Sequence, residues 1–267
     1  MRRLEVRTEK MLAHVEDGVG WITFNQPEKR NAVSLDMWQA IPEIISDFAS
    51  ADEVRVVVMK GAGDKAFVSG ADISEFEELR NTPEQIEVYD AATSASNAAL
   101  RSLEKPLIAM IRGFCVGGGM SIALAADLRI SSDDAQFGVP AAKLGVGYGY
   151  GGIKELMNLV GPSYAKEIFF TGQRFSAADA EKMGLVNRVV PVEELESTVV
   201  AYARTIADNA PLTVRAAKAA INEGTKNPDE RDLDRIAKMV EACFNSDDYK
   251  EGRKAFMEKR KPQFKGR

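Results

Sequence analysis

The sequence predicts an α/β fold on three observations: β-branched runs that read as buried strands, a small-residue turn with a helix-like segment after each of two of them, and a helical composition after Pro191. Residues 1–191 read as the core and residues 192–267 as a helical appendage.

Taken in order, Leu12 to Val15, Asp17-Gly18 and Val19 to Phe24 form two short alternating runs around a turn dipeptide that tolerates positive φ, which is a hairpin pattern. Ser34 is placed to cap a helix reaching Phe48, with Leu35, Trp38, Ile41, Ile45 and Phe48 on one face. Pro42 is expected to kink that helix or begin a new turn, because it lacks an N–H. Val54 to Met59 is a β-branched run bounded by charge and by Gly61-Ala62-Gly63, as in a strand buried on both faces, and Leu107 to Ile111 repeats it. After Pro191 three helices are expected, Val192 to Asn209, Leu212 to Glu223 and Asp232 to Cys243, separated by Pro211 and Asn227-Pro228.

A length of 267 residues allows one large core or a core with an appendage. The composition, 45% hydrophobic and 28% charged, is that of a soluble globular protein. A net charge of −5 argues against a duplex nucleic-acid binder, which normally carries a basic face. Two cysteines, Cys115 and Cys243, are too few for a disulfide framework and suit a reducing cytosol. No apolar run reaches the length of a membrane span, so a cytoplasmic location is expected, without membrane or nucleic-acid partners.

Two turns carry the candidate chemistry. Gly113-Phe-Cys-Val-Gly117-Gly118-Gly119-Met120-Ser121 follows a buried strand and precedes an Ala-rich helix, Ile122 to Ala126. Glycines there let backbone N–H groups approach a ligand at a helix start, where the dipole favours negative charge. A tight turn chosen for strand–helix packing alone is the alternative. The second turn, Ala66-Phe67-Val68-Ser69-Gly70-Ala71-Asp72-Ile73, also follows a strand and opens a Glu-rich segment.

This pair of turns resembles the crotonase, or enoyl-CoA hydratase/isomerase, superfamily. Further matches run in order along the chain: Asn31-Ala32 after Pro27-Glu28-Lys29-Arg30, Ala135-Gln136-Phe137-Gly138, Gly161-Pro162, Ala180 to Val186, and Phe256 to Lys261. The resemblance implies a spiral of repeated ββα units with a C-terminal helical trimerisation region, assembling as a homotrimer or a hexamer. It implies an acyl-CoA substrate whose thioester oxygen is met by the N–H groups of Ala71 and Gly118, donors suited to an enolate. It also implies that Gly117, Ala71, Asp72 and Ile73 line the coenzyme A site and that Ala32 lies beside the pantetheine. Lys29 and Arg30 resemble the basic group near the 3′-phosphate, and Phe256 and Lys259 resemble tail residues that reach coenzyme A from a neighbouring subunit. A solvated charged face is the alternative for the lysines and arginine. No cofactor beyond coenzyme A is expected, and no metal-ligand cluster is visible.

The chain departs from the hydratases at both acid–base positions. Where they carry glutamates, it has Ser121 and Ala141. A hydratase must deliver water to one carbon and a proton to the next, so the loss of both leaves the reaction open. Tyr148, in the Gly-rich stretch Lys143 to Gly152 expected along the acyl pocket, resembles the tyrosine of methylmalonyl-CoA decarboxylase, which also lacks the two glutamates. The decarboxylase's histidine in the first turn has no counterpart beside Gly70-Ala71. Ser121 resembles a substrate-binding serine of hydroxycinnamoyl-CoA hydratase-lyases. Three readings follow: an enoyl-CoA hydratase/isomerase-type enzyme, an acyl-CoA decarboxylase, and a non-catalytic CoA-binding member. The only histidine, His14, falls in the first hairpin and reads as structural. Cys115 reads as a buried hydrophobe, and Glu75, Glu77 and Glu78 read as surface charges.

Overall fold

A computed structural model describes residues 1–75 and 81–267. The chain opens with β1 (Arg2–Arg3), β2 (Met11–Glu16) and β3 (Val19–Phe24). Asp17 and Gly18 join β2 to β3 at φ 50° and 79°, the positive pair a two-residue hairpin needs. There follow α1 (Leu35–Ser50), β4 (Val56–Gly61), β5 (Ala66–Val68), α2 (Pro83–Ser102), β6 (Leu107–Ile111), β7 (Phe114–Val116) and α3 (Gly118–Leu124). Next come β8 (Leu128–Ser132), β9 (Gln136–Gly138), α4 (Ala141–Leu144), α5 (Tyr150–Thr171), β10 (Phe175–Ser176), α6 (Ala177–Lys182) and β11 (Arg188–Val190). The chain ends in α7 (Leu195–Asp208), α8 (Pro211–Gly224), α9 (Leu233–Asn245) and α10 (Asp247–Glu258).

Two sheets result, a large one in the order β1-β2-β3-β4-β6-β8-β11 and a small one in the order β10-β9-β7-β5. Each pass of the chain adds one strand to each sheet and then a helix: β4 and β5 before α2, β6 and β7 before α3, β8 and β9 before α4. That is the ββα spiral. Within the large sheet alternate residues face opposite layers. Val57, Met59, Leu107 and Ala109 enter the main core, while Val56, Val58 and Ile108 meet Leu195, Val199 and Ala203 of α7. The boundary drawn at residue 191 therefore precedes a helix that covers the outer face of the sheet.

Three local expectations are corrected. Ser34 takes the N-cap position of α1, but its hydroxyl bonds the Asp36 carboxylate and no backbone N–H, and the Glu75 carboxylate accepts from Leu35 N at 3.0 Å instead. Helix α1 runs through Pro42 without a break. The carbonyl of Trp38, which residue 42 would otherwise bond, accepts from the Ser96 hydroxyl of α2. Helix α3 begins at Gly118, four residues before the expected Ile122. Helix α5 does break, at Gly161 (φ 75°) ahead of Pro162.

Candidate active site

Strands β5 and β7 are parallel neighbours, with Val68 registered against Cys115. Ala71 lies three residues past Val68, and Gly118 three past Cys115. The register therefore carries the two turns level at one end of the small sheet. A Cβ placed on Gly118 would stand 3.6 Å from Ala71 N. The two candidate donors are thus adjacent.

Among the described residues both N–H groups are free. Val33 N donates to Gly70 O at 2.8 Å and Asp72 N to Val33 O at 2.9 Å, a parallel bridge that leaves Ala71 N–H pointing the other way. Gly118 is the first residue of α3, where a helix has no internal acceptor for its N–H. Neither group has an acceptor among the described residues. The glycines play separate parts. Gly70 and Gly117 hold φ values of 129° and 54°, and Gly117 N donates to Gly138 O at 2.9 Å. At Gly119 a Cβ would meet Val68 O at 2.1 Å, so the close approach of α3 to β5 forbids any side chain there.

Asp72 anchors the first turn. Its carboxylate, 4% exposed, accepts from Lys29 Nζ at 2.8 Å, Gln26 Nε2 at 3.2 Å, Ser74 Oγ at 2.6 Å and Ser74 N at 3.1 Å. Burial alone would raise its pKa, but the bonds from Lys29 and Ser74 hold it below the ordinary carboxylate value. Lys29 is raised in turn, first by its bond to Asp72. The ammonium expected near a phosphate is thus already engaged. The Arg30 guanidinium lies 5.1 Å from the Phe114 ring centroid and has no carboxylate partner among the described residues. Ala32 is buried, whereas Ile73 is 64% exposed. Phe256 and Lys259 sit far along the chain at the end of α10, where Phe256 is 82% exposed and Lys259 closes the helix at φ 54°.

Around the donors, Trp38 Cζ2 would lie 3.4 Å from a Cβ on Gly118 and walls the hole. Helix α3 buries Gly119, Met120, Ile122 and Ala123 and leaves Gly118, Ser121 and Leu124 part-exposed, so Ser121 stands one turn beyond the donor on its open face. Ala141, 7% exposed, starts α4. Tyr148, 36% exposed, packs edge-on against Phe169 with ring centroids 5.1 Å apart, and its partial desolvation raises its phenol pKa. The glycines around it make no close approach to the rest of the chain: a Cβ at Gly145, Gly147, Gly149, Gly151 or Gly152 would meet nothing within 4 Å. Cys115 is fully buried and desolvation pushes its thiol pKa up, so it is inert. His14 stacks on Trp21 at 6.2 Å. Glu75 serves as the α1 cap and pairs with Lys10, while Glu77 and Glu78 lie outside the described residues. The described residues contain no cluster of three or more potential metal ligands and no helix long and apolar enough to cross a membrane. The sequence alone marks Trp38 only as core and does not single out Gln26; neither residue type in its local pattern signals a site.

Comparison with known proteins decides the family. The model of the enoyl-CoA hydratase/isomerase family matches residues 14–267. The chain belongs to the enoyl-CoA hydratase/isomerase family. It is 40% identical over 253 residues to a short-chain-enoyl-CoA hydratase of Clostridium acetobutylicum, covering 94% of this chain and 96% of that one. It is 35% identical over 256 residues to a crotonyl-CoA hydratase of Syntrophomonas wolfei, covering 96% and 98%. Among solved structures, an enoyl-CoA hydratase/carnithine racemase of Magnetospirillum magneticum superposes with a TM-score of 0.92 at 34% identity, covering 98% of this chain and 97% of that one. The ββα spiral is thus the crotonase fold of this family.

Proposed function

We propose that the chain is an enzyme acting on acyl-CoA thioesters in the manner of the enoyl-CoA hydratases and isomerases, through an enolate held by the N–H groups of Ala71 and Gly118. The observation that supports this reading is the level pair of unbonded backbone donors at the end of β5 and β7. Negative charge developing on a thioester oxygen between them is met by dipoles already aimed, at no cost of reorganisation during the reaction. The Trp38 ring excludes water from one side.

Proton handling falls to groups other than glutamates at positions 121 and 141. Ser121 and Tyr148 offer hydroxyls, and Tyr148, raised by burial, stays protonated and can act as a donor. That arrangement favours a second reading, decarboxylation, in which loss of carbon dioxide forms the enolate without a base. If the site has lost turnover altogether, the chain is a CoA-binding member of the family. Coenzyme A enters as part of the substrate, with Lys29, Arg30, Ala32, Asp72, Ile73 and Gly117 along its path, and no further cofactor is invoked. The protein works in the cytoplasm as a homotrimer or a pair of trimers, Phe256 and Lys259 reaching coenzyme A from the neighbouring subunit.

Titration with acetyl-CoA and turnover with crotonyl-CoA and methylmalonyl-CoA test these readings. Binding with hydration of crotonyl-CoA supports the first, release of carbon dioxide the second, and binding alone the third; absence of binding at millimolar thioester removes all three. In an active enzyme, Tyr148→Phe is expected to lower kcat with KM unchanged, and an unaltered kcat assigns the ring to packing.

A further inference from the structure

We infer that the cavity bounded by the end of α1, the start of α8 and residues 264–267 is a second ligand site, which takes a small phosphate ester by its phosphate group. The inference goes beyond the acyl-CoA reading, because no residue lining this cavity belongs to either donor turn.

Strand register begins the site. Val57 of β4 is paired with Leu107 of β6, so Arg55 and Lys105, each two residues earlier, arrive level on neighbouring strands. Arg215 reaches the same place from α8, and Lys265 and Arg267 from the tail. The tail backbone is pinned by the Asp248 carboxylate, which accepts from Lys265 N at 2.6 Å and Gly266 N at 2.8 Å. Five cations thus line a cavity of about 470 Å³, and Asp52 is the one acid among its lining residues. The chain as a whole carries a net charge of −5, so this excess of positive charge is local.

Little inside the protein answers that charge. Arg215 shares Glu104 with Arg235, and its Nε is buried without a hydrogen-bond partner. Arg55, Lys105, Lys265 and Arg267 pair with no carboxylate among the described residues, and nearby Glu53 is taken by Arg2. Lys105 gives two of its three protons to Phe48 O and Ala51 O at 2.7 Å each and keeps the third. Burial first, then Arg215, lower its pKa to about 8 against the opposite pull of Asp52. Leu212, in the first turn of α8, adds an N–H with no acceptor among the described residues, at the positive end of that helix.

Such a set of donors suits an anion with several oxygens. A phosphate monoester carries about two negative charges and three terminal oxygens, enough to meet an ammonium, a guanidinium and a backbone N–H together. A carboxylate brings one charge and two oxygens. The volume falls within the range of about 300–1,000 Å³ that small-molecule pockets span. There is room for a body beyond the phosphate, and Pro211, Leu212 and Phe264 give it an apolar wall.

Calorimetric titration of the intact protein at constant ionic strength with phenyl phosphate, inorganic phosphate and benzoate tests the inference. Phenyl phosphate should bind once per chain at millimolar concentration or below, inorganic phosphate more weakly and benzoate most weakly. Arg55→Gln and Lys105→Met should each weaken phenyl phosphate about 10-fold or more, the scale of a hydrogen bond between charged groups. Arg30→Gln, on the proposed coenzyme A path, should leave that affinity unchanged. The Arg55 side chain makes no bond to the described residues, so Arg55→Gln carries the test if Lys105→Met fails to fold by circular dichroism. No binding of phenyl phosphate, binding that survives Arg55→Gln, or benzoate or inorganic phosphate binding as tightly as the ester overturns the inference. Loss on Arg30→Gln alone puts the anion on the coenzyme A path and overturns it as well. Each of these results leaves the acyl-CoA reading, which thioester titration tests, as it stands.

Discussion

Gly118 and Gly119 are adjacent, yet a single methyl group has different consequences at each. At Gly119 it would sit 2.1 Å from the Val68 carbonyl, and backbone must move. Gly119→Ala is therefore expected to lower the melting temperature or prevent folding. At Gly118 the nearest atoms are Trp38 Cζ2 at 3.4 Å and Ala71 N at 3.6 Å, distances a folded chain tolerates. The methyl would instead fill the space beside the N–H that the proposed mechanism aims at the thioester oxygen. Gly118→Ala should keep its melting temperature and lose about 10²-fold in kcat/KM; a large loss of stability with normal turnover contradicts this division of labour. Lys105 gives a pH signature. Its Nζ donates to Phe48 O and Ala51 O at 2.7 Å each, and burial first, then Arg215, lower its pKa from 10.5 to about 8. Between those values the unfolded chain holds a proton the folded chain has released, so stability rises with pH. The melting temperature of the wild type relative to Lys105→Met should climb between pH 8 and 10.5 and stay level below that window.

At the scale of elements, the proline inside α1 shows how one helix completes another. The Ser96 hydroxyl reaches the Trp38 carbonyl that Pro42 leaves unbonded, and Ser96 is fully buried. Ser96→Ala should cost about 1–3 kcal/mol in urea unfolding, the range for stranding a buried acceptor. A change below about 0.5 kcal/mol, within the ordinary surface range, would mean that the carbonyl finds other company. The hairpin and the strands around Val58 and Ile108 are legible in the sequence because period and turn residues are local signals. The two turns are legible because clustered glycines imply a close approach of backbone, whereas Ala71 and Gly118 are singled out within them only by the family resemblance. The capping role of Glu75, the freed Trp38 carbonyl and the hydrogen bond from Ser121 Oγ to Asn97 Oδ1 are not, since each joins residues at least 24 apart and depends on how helices meet. Helix α10 escapes a reading by pattern because its sequence is strongly polar on average.

For the whole molecule, α8, α9 and α10 enclose an apolar groove of about 1010 Å³, and Phe244, Phe256 and Met257 are 60%, 82% and 82% exposed around it. Surface of that kind on one chain is ordinarily covered by another. Light scattering is expected to return a multiple of 29.2 kDa, three or six copies, and Phe256→Glu with Met257→Glu should release smaller species. A stable monomer of the unaltered chain would refute the assembly. The same variant should weaken thioester affinity if the tail of one subunit reaches the ligand of the next.

The spacing of the two donors is inherited from the separation of β5 and β7, about 4.8 Å in any sheet, and from a register that counts the same three residues outward on both strands. The Asp72 carboxylate then holds the first turn in place. The hole behaves like a fixed socket whose gauge is a constant of the peptide backbone, and the surrounding residues are fittings. Ser121, Ala141 and Tyr148 can all be exchanged in an engineered series while the socket keeps its width, so under the proposed mechanism one scaffold can be refitted for different reactions through a common enolate.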